Sequence, residues 1–240
     1  MLCLAFNFIR RSDVLRQAAA RLHPQSTNPM VTQTPTQVEQ IQLSGISWNT
    51  YETLLKELSH RRLRLTYNRG NLEIMVPSPE HERYKEILGR FVETLAEELE
   101  VRIDPLGSTT FKRPELVGAE PDKCFYIQNL SAVKGKKRID LDRDPPPDLV
   151  VEIDITSSSE IRFPVYADMG VPEIWRYDGN SFTVYQLQVR EYIPSEQSLA
   201  FPNLPIIEIT NFLQQAMTMD YLELIASFRR WVKSQIHEKR

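Results

Sequence analysis

The chain is short of the features that would place it quickly. Its 240 residues hold two cysteines, Cys3 and Cys124, too far apart in sequence for a disulfide framework or a Cys-x-x-Cys metal clip. A reducing, cytoplasmic setting is therefore expected. Eight glycines against sixteen prolines exclude a collagen-like or glycine-rich repeat. No charge dominates: 29 Lys and Arg face 32 Asp and Glu, a net charge of −3, which excludes a broad basic footprint for nucleic acid while leaving room for a local patch. Apolar runs stay well short of the ~18–20 residues that span a bilayer, so no membrane insertion is expected. The opening MLCLAFNFIRR carries its basic residues after the apolar run, the wrong order for a secretory signal. What remains is ordinary globular composition, 41% hydrophobic and 25% charged, enough for one domain or a small pair.

Residues 1–40 read as an N-terminal extension. Asp13–Leu22 suits a short basic helix, and LHPQSTNPMVTQTPTQ is a polar linker punctuated by proline. Met30 stands inside that linker as an alternative start. The domain is expected over 41–240. Ser47 can cap a helix carrying Trp48, Tyr51, Leu54, Leu55 and Leu58. Leu63–Tyr67 and Leu72–Val76 flank an NRGN turn and predict a hairpin. Ser78, Pro79 and Glu80 open a helix to about Glu100 that buries Tyr84, Ile87, Leu88, Phe91, Leu95 and Leu99. Strands are expected at Leu106–Phe111, Asp122–Ile127 and Leu149–Ile155, the last followed by a short helix ending near Gly170. A second hairpin turns on Gly179-Asn180, and helices over about 206–217 and 221–236 close the chain. The sum is an α/β (α+β) fold, a mixed sheet with helices packed on it.

PDLVVEIDIT, residues 147–156, is the segment with chemistry in it. Alternation puts Leu149, Val151, Ile153 and Ile155 on one face and Asp148, Val150, Glu152 and Asp154 on the other. Carboxylates in this spacing repel unless they are protonated, solvated or bridged by cations, and a hard divalent ion suits them. A solvated edge strand is the competing expectation. Asp148 follows a proline run and is expected to fix the strand entrance. Asp122, in EPDKCFYI, opens an earlier candidate strand, and its interval to Glu152 suits an intervening helix or loop followed by an adjacent strand.

An Asp after Pro followed by an acid-x-acid strand resembles the PD-(D/E)xK nuclease superfamily. GAEPDKCFYI, PPPDLVVEIDITSSS and YADMGVPEIWRYDG together resemble the Uma-type restriction endonuclease family over roughly residues 40–232. The resemblance implies a restriction-endonuclease-like mixed central β-sheet flanked by helices, acting on DNA phosphodiesters with Mg²⁺ or Mn²⁺. It assigns Asp122 and Glu152 as metal-binding acids. Asp154, standing where the superfamily has a strand lysine, would bind a second ion or orient water. Arg162 falls four residues before Tyr166, where related sequences carry a lysine; its pKa above ~12 suits charge stabilisation, not proton removal. A surface guanidinium is the alternative for Arg162, with Pro164 starting the helix after it. A helix Glu is also implied, and Glu80 is favoured over Glu82; His81 could serve as a metal ligand or a phosphate contact, with a helix-cap partner the favoured reading. Lys134, Lys136, Lys137 and Arg138 could follow a DNA backbone, although Asp140, Asp142 and Asp144 follow at once. The alternative function is a degenerate nuclease-fold module that binds DNA or a protein without cutting. A homodimer is compatible with either reading.

Overall fold

The computed structural model describes residues 40–155 and 158–237. The expected extension, its short helix, Met30 and Cys3 lie outside the described residues; Gln40 already belongs to the first strand.

The chain opens with β1 (Gln40–Leu43) and α1 (Trp48–Glu57), the latter capped by Ser47, whose hydroxyl accepts from the Thr50 amide. The predicted hairpin follows as β2 (Arg64–Asn68) and β3 (Asn71–Met75). Next comes α2 (Pro79–Glu98), whose Ser78 cap accepts from the His81 amide at 3.1 Å, with Pro79 in the first turn where a missing N–H costs nothing. Four short strands succeed it: β4 (Asp104–Pro105), β5 (Phe111–Arg113), β6 (Val117–Ala119) and β7 (Lys123–Tyr126). The strand expected over Leu106–Phe111 is not there. Gly107 turns the backbone to φ +58° and the Leu106 carbonyl accepts from the Thr109 hydroxyl, so a turn separates β4 from β5. After α3 (Leu130–Val133) come β8 (Leu149–Ile153), a 3-10 turn at Ser159–Arg162 and α4 (Phe163–Met169). Gly170 ends α4 at φ +83°, a conformation that favours glycine. β9 (Glu173–Tyr177), β10 (Phe182–Gln188) and β11 (Glu191–Ser195) form a meander, and α5 (Ile209–Gln215) and α6 (Tyr221–His237) close the domain.

The architecture is α+β, and its strands form two sheets. One is antiparallel, in the order β1-β3-β2-β6-β5; the other is mixed, in the order β11-β10-β9-β8-β7-β4. Among the described residues its single parallel pair is β8 with β9. Leu149, Val151 and Ile153 of β8 belong to a core shared with Leu88, Phe91 and Leu95 of α2 and Phe228 and Val232 of α6. There Phe91 stacks on Phe228 with ring centroids 4.0 Å apart. Val150 faces the other way, into a core with Val165, Tyr166 and Met169 of α4. Tyr51 seats α1 on the first sheet with Leu65, Tyr67 and Leu72; a Cβ at Gly118 of β6 would come within 2.3 Å of the Tyr51 hydroxyl, so this strand needs glycine there. The aromatic residues Trp175, Phe182 and Tyr177 are buried in the core. Among the described residues no helix is long and apolar enough to cross a membrane.

Candidate active site

β7 pairs antiparallel with β8 through Lys123↔Val151 and Cys124↔Val150, and continuing that register sets Asp122 beside Glu152. Both side chains are fully buried. Asp122 reaches across the strand gap, where its Oδ2 accepts from the Ile153 amide at 2.7 Å. Glu152 is held by the Tyr166 hydroxyl, which donates to its Oε1. Each carboxylate is thus anchored through one oxygen. The other oxygen of each, Asp122 Oδ1 and Glu152 Oε2, is buried with no aligned hydrogen bond.

Guanidinium groups stand against those two oxygens. Arg64 Nη1, from β2, lies 2.5 Å from Asp122 Oδ1, and Arg162 Nη2 lies 3.0 Å from Glu152 Oε2. The two approach at ion-pair distance in orientations that do not form proper hydrogen bonds. Arg162 is only 1% exposed, so the surface reading of this residue is corrected. It sits in the turn before α4, as Pro164 requires, and also lies 3.5 Å from Asp154 Oδ1 and 3.6 Å from Glu73 Oε1. His81, also 1% exposed, places Nε2 at 3.1 Å from Asp122 Oδ2 and Nδ1 at 3.5 Å from Glu82 Oε1. Its imidazole is therefore part of the cluster, while its backbone amide is the partner of the Ser78 cap, as expected.

The electrostatics follow from this packing. Complete burial pushes the Glu152 carboxyl up to about 8, against the pull of Arg162. Burial acts in the same sense on Asp122, but Arg64 and His81 outweigh it and hold that carboxyl near 2. His81 is disfavoured as a cation by burial, yet its contacts with Asp122 and Glu82 raise it to about 9. Burial likewise works against the Arg162 charge, but Glu152, Tyr166, Asp122 and Glu73 together more than offset it, so its pKa is raised.

Two of the expected site residues are placed differently from expectation. Asp154 accepts from the Ser159 amide at 2.8 Å and the Ser159 hydroxyl at 2.9 Å, and from Arg176 Nε at 2.5 Å. Both its oxygens are committed to holding the strand end, so it does not face an ion with Asp122 and Glu152. Glu80 is exposed and outside the cluster, whereas Glu82 lies 3.8 Å from Arg64 Nη2 and beside His81. The helical phase puts Glu80 with the apolar stripe, but the first turn of α2 stands next to β2, so the residue off the stripe meets the cluster. Asp148 does fix the strand entrance, accepting from the Ile127 and Asn129 amides and the Asn129 side chain at 2.6–2.9 Å. Within the basic loop, Lys136 pairs with Asp144.

Residues the sequence reading missed are Arg64, Glu73, Tyr166, Ser159 and Arg176. Arg64 and Glu73 did carry a signal: the hairpin register sets Arg64 opposite Met75 and Glu73 opposite Thr66, so both project on one face, and all of these are buried. An ionised residue on the buried face of a hairpin needs a partner. Among the described residues no group of three or more acid, His or Cys side chains is arranged to hold a metal ion, so Asp122, Glu152 and Asp154 are not gathered as one three-acid set. Two carboxylates remain. They are hard oxygen donors, each with one buried oxygen lacking a proper hydrogen bond, and a Mg²⁺ or Mn²⁺ site can rest on one or two carboxylates with water and substrate phosphate as further ligands. Asp122 and Glu152 fit such an ion. A surface cavity of about 430 Å³ lined by Arg102, Ile103, Asp104, Leu130, Lys134 and Gly135 is separate from this cluster.

A comparison with curated proteins finds no match. Among solved structures, one similar chain is a "putative nuclease belonging to DUF820" from Anabaena variabilis ATCC 29413, 13% identical over 76% of this chain and 99% of that one, with a TM-score of 0.45. The model of the family Uma2, described as "Putative restriction endonuclease", matches residues 48–220, and this chain belongs to that family.

Proposed function

We propose that this protein is a divalent-metal-dependent endonuclease that hydrolyses phosphodiester bonds in DNA. Family membership supports the nuclease class. The observation that carries the finer reading is the matched pair Asp122 and Glu152, each anchored by one oxygen and each keeping a second buried oxygen without an aligned hydrogen bond. These two residues would hold Mg²⁺ or Mn²⁺, which when bound lowers the pKa of water and offsets phosphate charge. The Ile153 amide and the Tyr166 hydroxyl orient the carboxylates. The guanidinium of Arg162, adjacent to Glu152, offers planar donors to a phosphate carrying extra negative charge. Asp154 and Glu80 have no direct part in this version; Asp154 positions Arg176 and the Ser159 turn.

The second reading, a module that binds DNA or a protein without cutting, is favoured by one fact. Asp154 fills the place of the strand lysine and is tied to Ser159 and Arg176. Supercoiled plasmid incubated with Mg²⁺ or Mn²⁺ separates the two. Nicking by the wild type that is lost in Asp122→Asn supports the enzyme. DNA retention without nicking, equal with and without metal, supports the module and overturns the enzyme.

A further inference from the structure

Resting on the metal-site reading above, we propose that Arg64 and Arg162 are resident counter-cations of the carboxylate pair, and that a divalent ion enters only as these guanidinium groups move onto acids they already touch. Both cations address the same oxygens that an ion would need: Arg64 Nη1 stands 2.5 Å from Asp122 Oδ1, and Arg162 Nη2 stands 3.0 Å from Glu152 Oε2. Neither contact is an aligned hydrogen bond, although all four groups are buried. The oxygens that are properly bonded point elsewhere, to the Ile153 amide and the Tyr166 hydroxyl, so the carboxylates keep their orientation when the cations leave.

Each guanidinium has somewhere to go. Arg162 is shared among three acids, with Glu73 at 3.6 Å and Asp154 at 3.5 Å besides Glu152. Arg64 has Glu82 at 3.8 Å, the Ser108 hydroxyl at 3.4 Å and the Glu120 carbonyl at 3.5 Å. A short shift therefore transfers either charge to a standby acceptor without exposing an unpaired cation, whose isolation in the interior would be costly. The consequence is that the fold does not depend on metal, and that metal affinity is set by competition with two built-in charges.

The test uses the full-length chain and Mn²⁺ alone, without DNA, by titration calorimetry and by melting temperature with and without Mn²⁺. Removing a neighbouring positive charge within ~4–6 Å favours a bound cation, so Arg162→Met is expected to bind Mn²⁺ about tenfold or more tightly than the wild type. Its melting temperature should rise on adding Mn²⁺ by more than that of the wild type. Glu73→Gln should bind more weakly, because Arg162 then loses a standby acid. Should Arg162→Met fail to fold, Arg64→Met carries the same expectation at Asp122. Equal or weaker binding by these Met variants, with the wild type still binding Mn²⁺, overturns the counter-cation role and leaves the metal site standing. Mn²⁺ binding that survives unchanged in Asp122→Asn and Glu152→Gln, or is absent from wild type and both Met variants, overturns the site itself.

Discussion

The two faces of β8 solve the same burial problem in opposite ways. Leu149, Val151 and Ile153 pack against α2 in a core that α6 completes, where contact is nondirectional and many apolar shapes would serve. Glu152 and Asp154 on the other face are just as dry, at 0% and 7% exposure, and are held only because Arg162, Arg176, Tyr166 and Ser159 arrive from elsewhere in the chain. The apolar face depends on volume, the charged face on particular partners. Losing one atom group therefore costs little on the first and much on the second.

The strongest way to break this contrast is Glu152→Ala. It leaves Arg162 buried with one fewer acid, and a loss of roughly 3–5 kcal/mol is expected in urea unfolding. Glu152→Gln, which keeps the shape and the Tyr166 contact, should lose less. The pH dependence comes next. Glu152 is raised to about 8 from 4.5 and His81 to about 9 from 6.5. The folded state therefore binds both protons more tightly than the unfolded chain, and their stabilisation is complete at low pH and lost as pH rises through 8 and 9. Asp122 and Glu82, both lowered to about 2, act in reverse and lose their contribution as pH falls toward 2. The urea midpoint should accordingly fall on both sides of mildly acidic pH, and His81→Gln should flatten the alkaline side. On the apolar face, Ile153→Val removes one methylene and should cost only about 0.5–1.5 kcal/mol in the same unfolding assay. Smallest of all is Glu80→Ala, expected within about 0.5 kcal/mol of wild type and without effect on plasmid nicking, because the side chain lies outside the cluster.

Much of the scaffold was legible because local signals and burial agree. Ser47 and Ser78 cap the helices they precede, the NRGN turn joins β2 to β3, and Gly170 stops α4. Alternation along residues 148–155 correctly separated the two faces of β8, and the meeting of Asp122 with Glu152 followed from strand order. What stayed hidden was the identity of the cation. Alternation states that an acidic face needs compensation, yet Arg64 sits on β2, distant in sequence from both acids, and Arg162, in the turn before α4, reads as serving a phosphate and not as the partner of Glu152. His81 was closer to hand: it precedes Tyr84 and Leu88 by three and seven residues, in phase with a buried stripe. That the antiparallel sheet stands apart from the mixed one escaped because β5 and β6 have three residues each, too few for alternation to register.

The parallel alignment of β8 with β9 has a reach beyond the sheet. Parallel neighbours cannot be joined by a tight turn, so the polypeptide must climb off the sheet after Ile153 and descend again before Glu173. That detour is the vehicle that carries Arg162 and Tyr166 back over Glu152. Topology and charge compensation are thus one commitment: a graft that copied the strands but rerouted the overpass would inherit the acids and leave their keepers behind.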